Sequence, residues 1–471
     1  MVYSRFQICI LIVILCCYNG FSQQKQPNVI FILADDLGWG DLQVYGHEII
    51  QTPNLDRLVE NGLVLSNFYV NSSVCSPSRA AFMTGVYPSR LGIHGHLASK
   101  EQNQRRDMAD FLNPEVVTIT DIFQQSGYAT AHFGKWHLGH TEEAPLPSAY
   151  GIDQFKTNTS NDTAIFDLWL PSNRPKSSKM VVDEAIGFIH DNREDPFFIN
   201  AWFVDPHAVL NPSEEQMEPY KRYSPASYTE RVYDAPIGHK GATQIYYATV
   251  TEMDRQIGRL IDALDSMALL ENTILIFTSD NGPEVLEISN ASHSAAGSVG
   301  PFRGCKRSLY EGGIRMPFIM SWPGHIPRGY IDRESVVSAI DFLPTLCAMA
   351  DVRVPGDLSI DGEDRSAVLL GNRGSRMKPL FWEWRFNVFG RHLDKSPQLA
   401  MRDGKWKLLM NPDSSRMELY DLSTDPSELQ NVASRHRSVV REMREQLFSW
   451  YRELPPGHVD KNAGKMDYSW P

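Results

Sequence analysis

The chain up to about residue 375 is organised by apolar runs that close on polar residues. Pro27-Asn28-Val29-Ile30-Phe31-Ile32-Leu33-Ala34 ends at Asp35-Asp36. Asn272-Thr273-Ile274-Leu275-Ile276-Phe277-Thr278-Ser279 ends at Asp280-Asn281. The run from Asp195 to Phe203 leads into Asp205-Pro206-His207, and Tyr128 to Phe133 leads into Gly134-Lys135-Trp136-His137. Apolar runs without alternation read as strands buried on both faces, as in a parallel sheet. Helical periodicity lies between them, at Val181 to His190 and Tyr246 to Asp265. The alternation predicts an α/β fold, a large mostly parallel sheet sandwiched by helices. Ligands in such folds bind outside the carboxyl ends of the strands, so the polar clusters are expected at one rim.

The pattern changes near residue 375. Leu380 to Phe386, Gln398 to Met401 and Trp406 to Met410 read as short antiparallel strands, and Arg435 to Tyr451 as an amphipathic helix. The expected division is a leader over 1–22, a large domain over 23–375, and a smaller α+β subdomain over 376–471. Asn211 to Gly241 reads as a long surface loop. Asn71, Asn158, Asn161 and Asn290 open N-x-Ser/Thr sequons, which matter only in a glycosylating host.

Composition is that of an ordinary globular protein, 42% hydrophobic and 22% charged. The net charge of −12 argues against nucleic-acid binding, and an anionic substrate would need a locally basic pocket. Arg5, the apolar run Ile8 to Cys17, and then Asn19, Gly20 and Ser22 have the order of an export signal cleaved near Ser22. The run is too short for a comfortable membrane span. The expected location is periplasmic or secreted, with no span after removal of the signal. An uncleaved anchor, or a lipoprotein on Cys16 or Cys17, stays open. Past the leader only Cys75, Cys305 and Cys347 remain. At most one bridge forms, which leaves a thiol over in an exported chain.

Cys75-Ser76-Pro77-Ser78-Arg79, followed by Ala80-Ala81-Phe82-Met83-Thr84-Gly85, resembles the maturation signature of the type I, formylglycine-dependent sulfatases, arylsulfatase-like. Gly127-Tyr128-Ala129-Thr130 with Gly134-Lys135-Trp136-His137 is similar to that family's second signature. Asp35-Asp36, Asp280-Asn281-Gly282, Lys306 with Tyr310-Glu311-Gly312-Gly313, and Leu419-Tyr420-Asp421-Leu422 also match, so the likeness runs from Pro27 to Ala433. The resemblance implies an alkaline-phosphatase-like fold. It also implies that a separate maturation enzyme oxidises Cys75 to formylglycine (3-oxoalanine). The hydrated aldehyde is a geminal diol: one hydroxyl attacks sulfur, and deprotonating the other expels sulfate and restores the aldehyde.

Asp35, Asp36, Asp280 and Asn281 offer only hard oxygen ligands, which suits Ca²⁺ before Mg²⁺ and not Zn²⁺. The resemblance adds the modified Cys75 and the substrate sulfate to that shell. It implies that Arg79 holds the formylglycine hydrate, that Lys135 and Lys306 touch sulfate, that His137 helps deprotonate the diol, and that His207 protonates the leaving alcohol. Typical members carry a proline two residues after the Pro-His pair; here Ala208-Val209-Leu210 follows His207. His94, His96 and His293 read as structural or surface histidines, with substrate recognition as the alternative.

The expected reaction is hydrolysis of sulfate esters, with a sulfated carbohydrate preferred over a small aryl ester. Trp382 and Trp384 are candidates for stacking on sugars, although tryptophan is more often core. Two other readings stand beside it. One is a phosphomonoester or phosphonate hydrolase of the same superfamily, against which the complete cysteine motif argues. The other is a non-catalytic, carbohydrate-binding relative, which should have lost its nucleophile or metal carboxylates.

Overall fold

The computed structural model describes residues 26–139, 141–158, 166–223, 241–285, 288 and 293–468. The expected leader lies outside these residues. In chain order the strands are β1 (Asn28–Ala34), β2 (Gly62–Leu65), β3 (Phe68–Tyr69), β4 (Ala129–Lys135), β5 (Gln154–Asn158), β6 (Phe197–Trp202), β7 (Thr273–Ser279), β8 (Arg315–Met316), β9 (Phe318–Ser321), β10 (Tyr330–Asp332), β11 (Val337–Ser338), β12 (Leu380–Glu383), β13 (Leu399–Asp403), β14 (Trp406–Met410) and β15 (Glu418–Asp421).

Eight strands form the main sheet in the order β10-β2-β9-β7-β1-β6-β4-β5. Only β9 runs against its neighbours. The central strand β1 shows why the sheet is covered on both sides. Val29, Phe31 and Leu33 enter one apolar core, and Ile30, Ile32 and Ala34 enter the other. Helices Ser177–Asp191 and Ala242–Ser266 cover the second face through Val181, Val182, Val250 and Ile257. Helices Cys75–Thr84, Ile119–Gln125 and Phe342–Met349 cover the first. There Phe31 meets Phe82 at 4.9 Å and Phe342 at 4.8 Å between ring centres, which fixes the Cys75–Thr84 helix against the sheet. The α/β architecture read from the sequence is the one observed.

The C-terminal sheet is antiparallel, in the order β12-β13-β14-β15. Helix Arg437–Arg452 turns Val440, Met443, Leu447 and Trp450 onto the same core. A buried ionic cluster ties this part to the main body: Lys407 Nζ lies 2.9 Å from both Glu311 and Glu428.

The structure corrects or narrows several expectations. Trp382 and Trp384 are core residues rather than sugar platforms, and Trp382 Nε1 donates to Val70 O at 2.7 Å. No disulfide joins Cys75, Cys305 and Cys347, in keeping with the count of at most one bridge. Asn71 and Asn158 are buried and unsuited to carry a glycan. The stretch read as a surface loop from Asn211 contains the short helices Glu214–Met217 and Glu218–Tyr223, and its remainder to Lys240 lies outside the described residues. Among the described residues no helix is long and apolar enough to cross a membrane.

Candidate active site

The register of β1 and β7 builds the centre of the rim. Ala34 pairs with Ser279, so Asp35-Asp36 and Asp280-Asn281 emerge side by side at the carboxyl ends. Asp280 N donates to Ala34 O at 3.2 Å, and Asp36 N donates to Asp280 Oδ1 at 3.2 Å. Asp36 has a left-handed backbone, φ 66°, which turns the chain at the strand end. Two strands away, β4 delivers Lys135 to the same edge. Gly134 is required there: a Cβ at this residue would lie 1.9 Å from Trp202 O, and its φ is 108°.

Cys75 is the first residue of a buried helix, preceded by extended Val74. Pro77 in the first turn costs no hydrogen bond, and Gly85 closes the helix in a left-handed conformation. Arg79 stands one turn after Cys75, on the same side. It is fully buried and clasps Asp280 Oδ2 through Nε at 3.0 Å and Nη2 at 2.7 Å, while Nη1 donates to Lys135 O at 2.7 Å. This single side chain therefore joins the nucleophile helix to the ends of β7 and β4.

The lysines pair with the first carboxylate pair. Lys135 Nζ donates to Asp35 Oδ2 and Lys306 Nζ to Asp36 Oδ2, both at 2.7 Å. Although burial opposes it, the charges of Lys135, His207, Arg79 and Lys306 hold the Asp35 carboxyl well below its ordinary range. Burial and the neighbouring Asp35 charge push Asp280 well above it. Ligand atoms of Asp35, Cys75 and Asp280 lie within 4.8 Å of one another, as do those of Asp35, Asp36 and His207. Asp35 Oδ1 and Asn281 Oδ1 are buried without a hydrogen-bond partner. Asn281 Nδ2 donates to Asp36 Oδ1 at 2.6 Å, which turns the amide so that only its oxygen is spare. Orphaned hard oxygens beside a pair of like charges are what a divalent cation of the Ca²⁺ type would satisfy, so the residues fit such an ion.

The two histidines are held in defined tautomers by carbonyl acceptors. His137 Nε2 donates to Leu97 O at 3.0 Å, leaving Nδ1 buried and unpartnered. Burial, with Lys135 and Arg79 nearby, draws its pKa well below the ordinary value, so the ring is neutral. His207 Nδ1 donates to Ala208 O at 2.7 Å, and its Nε2 lies 3.6 Å from Asp36 Oδ2. Burial and Lys306 lower His207 to about 4.

Sequence reasoning missed the supports of this rim. Buried Glu284 holds Arg307 at 2.5 Å and lies 3.7 Å from Lys306, and these two cations, against burial, lower it to about 2. Its signal was its place four residues after Asp280. Arg174 replaces the missing proline as the brace of the His207 loop: Nη2 donates to His207 O at 2.8 Å and Nε to Val209 O at 2.7 Å. Asp205 in turn holds Arg174 at 3.0 Å and accepts from Ser177 and Ser178 at 2.6 Å. Of the three extra histidines, His94 is a buried structural partner of Glu383 at 2.5 Å. His96 stands near His137, and the charges of Arg106, Arg307 and Lys306 reach it. His293 precedes the short helical turn Ser294–Ala296.

Against known families, residues 27–352 match the Sulfatase family model, and residues 300–453 match the model described as N-sulphoglucosamine sulphohydrolase, C-terminal. The chain belongs to the sulfatase family. It is 31% identical to arylsulfatase A of Homo sapiens over 457 residues, 88% of this chain and 84% of that protein. It is 28% identical to N-acetylgalactosamine-6-O-sulfatase of Bacteroides thetaiotaomicron, over 92% of this chain and 94% of that one. Among solved structures, Ps i-CgsB in complex with k-i-k-neocarrahexaose superposes with a TM-score of 0.74 at 24% identity, covering 93% of this chain and 96% of that one. The sulfatase is thus an enzyme of sulfuric ester hydrolysis, and its rim gathers Arg79 from the first signature with Lys135 and His137 from the second.

Proposed function

We propose that this sulfatase removes sulfate from a sulfated carbohydrate, with formylglycine made from Cys75 as nucleophile and Ca²⁺ as the resident cation. The observation that carries the reading is the convergence of Cys75 with Asp35 and Asp280 within 4.8 Å, under three buried cations. The glycan preference draws support from the N-acetylgalactosamine-6-O-sulfatase relative.

The modified residue supplies a geminal diol, one hydroxyl to attack sulfur and one to release sulfate. Asp35, Asp36, Asp280 and Asn281 would hold the cation, which supplies fixed positive charge at the sulfate and the nucleophile. Every further task falls to this chain. Arg79 is locked by Asp280 and Lys135 O and orients the hydrate one turn away. Lys135 and Lys306 place ammonium groups where charge develops on sulfate. His137 Nδ1, the ring atom with a free lone pair, takes the diol proton. His207, whose Nδ1 is engaged by Ala208 O, would protonate the leaving oxygen from Nε2, which takes the imidazolium form that the negative charge of a bound sulfate favours. The reading includes export to the periplasm or medium and maturation of Cys75 by a formylglycine-generating partner.

The test compares turnover of a sugar sulfate with that of the matched phosphate ester on fully matured protein. Faster sulfate release supports the reading. Faster phosphate release replaces it with a phosphomonoesterase.

A further inference from the structure

Beside the rim stands a guanidinium with no direct ion-pair partner among the described residues; the carboxylate whose charge reaches it is Asp460. Arg106 follows the short helix Lys100–Arg105 and is partly exposed. Among the described residues no acidic oxygen comes within 4.0 Å of it. Arg79, Lys135, Lys306 and Arg307 by contrast all pair with carboxylates. The contacts of Arg106 are His96, with Nη1 3.4 Å from Nε2, and the face of Phe386, 5.3 Å from the ring centre.

This arm is built into the catalytic wall. His96 directly precedes Leu97, whose N–H donates to Ser76 Oγ at 3.0 Å and whose carbonyl accepts from His137 Nε2 at 3.0 Å. Gly95 lets the loop press on Phe386, since a Cβ there would lie 2.8 Å from the ring. An arginine only donates, so His96 Nε2 accepts from Arg106 and Nδ1 carries the ring proton. Burial, then Arg106, His137, Arg307 and Lys306, keep His96 neutral, with its pKa well below the ordinary value. The result is a patch of N–H donors and positive charge without a contacting carboxylate, partly open to water and adjoining the nucleophile's neighbours.

We propose that Arg106 and His96 form a second anion subsite, which reads an additional sulfate or carboxylate on the sugar that bears the scissile ester or on its neighbour. The proposal rests on the carbohydrate-sulfate reading above and narrows it to polyanionic glycans. Planar, bidentate recognition of an oxyanion is what a guanidinium does best. A purely structural role for Arg106, clamping Phe386, would affect every substrate alike.

The experiment uses matured full-length protein and three substrates: a monosulfated neutral sugar, the same sugar with a second sulfate, and the same monosulfated sugar linked to a uronate. The readout is the ratio of kcat/KM for each doubly anionic substrate over the singly anionic one. Wild type should favour one of the doubly anionic substrates by roughly 10-fold or more, the scale of a charge-assisted hydrogen bond. Which of the two is favoured separates sulfate from carboxylate as the second group. Arg106→Gln should bring that ratio close to one, mainly through KM. Arg106→Lys, which keeps charge and loses the fork, should retain part of it, and it reads the same ratio if Arg106→Gln fails to fold. A wild-type ratio near one, or a ratio unchanged by either variant, overturns the subsite alone. Failure of the matured wild type to release sulfate from any of the three overturns the carbohydrate reading with it.

Discussion

Arg79 and Asp280 meet through two nitrogens on one oxygen, 3.0 and 2.7 Å, with neither side chain exposed to water. Arg79→Lys keeps the charge but cannot clasp Asp280 and reach Lys135 O together. Its kcat should fall by about 100-fold or more, as when a preorganised charge-stabilising donor is lost. Steady-state kinetics with thermal melting checks this. An Arg79→Lys enzyme within a few-fold of wild type would remove Arg79 from the mechanism.

Arg174 acts on the chemistry through the His207 carbonyl, so its loss should depend on the leaving group. Arg174→Ala frees the loop that presents His207. Turnover of a sugar sulfate, whose alkoxide leaves poorly, should drop by about 10- to 100-fold, the scale of general acid catalysis. An aryl sulfate with a good leaving group should lose much less. Equal losses on both substrates would contradict a positioning role.

The sheet was legible in the sequence because β1, β6 and β7 are buried on both faces and must be apolar along their length. Asp35-Asp36 and Asp280-Asn281 were legible because they terminate those runs. Arg174 and Glu284 were not, because each is defined by a partner far along the chain, His207 and Arg307, that no local pattern announces. The tryptophans misled for the opposite reason. Trp382 has the composition of a sugar platform, but its β12 strand packs it against Val70 and Tyr69 in the core.

Lys407 ties the C-terminal sheet to the main body through Glu311 and Glu428. Lys407→Met would leave Glu311 and Glu428 buried with their shared cation gone. Breaking a buried ion pair from one side costs about 3–5 kcal/mol. Urea unfolding should show that loss, with kcat per folded molecule retained. An undiminished midpoint would mean that the cluster does not stabilise the fold.

Glu284 gives a pH signature with a defined sign. Its folded pKa, about 2, lies below the ordinary 4.5, because Arg307 and Lys306 outweigh burial. A depressed carboxyl stabilises the fold above its unfolded pKa and ceases to do so as pH falls through the folded one. The stability difference between wild type and Glu284→Gln should therefore be greatest near neutrality and shrink from about pH 4.5 downward. Denaturant titrations across that range measure it; a difference that grows on acidification would contradict the pairing.

Removal of the cation should unload the Asp35 and Asp280 carboxylates together. EGTA, selective for Ca²⁺ over Mg²⁺, should abolish turnover and lower the melting temperature, and added Ca²⁺ should restore both. A ligand at 1,000 times its Kd contributes about 4 kcal/mol to the folded state. Rescue by Mg²⁺ but not Ca²⁺ would reassign the metal.

In the proposed mechanism Cys75 acts only after it ceases to be a cysteine. Mass spectrometry of the peptide spanning Cys75 to Arg79, from active protein made in its native host, tests it most directly. The peptide should be lightened by conversion of the CH₂–SH group to an aldehyde, with the modified fraction tracking specific activity. Fully active protein whose Cys75 peptide carries an unmodified thiol would contradict it.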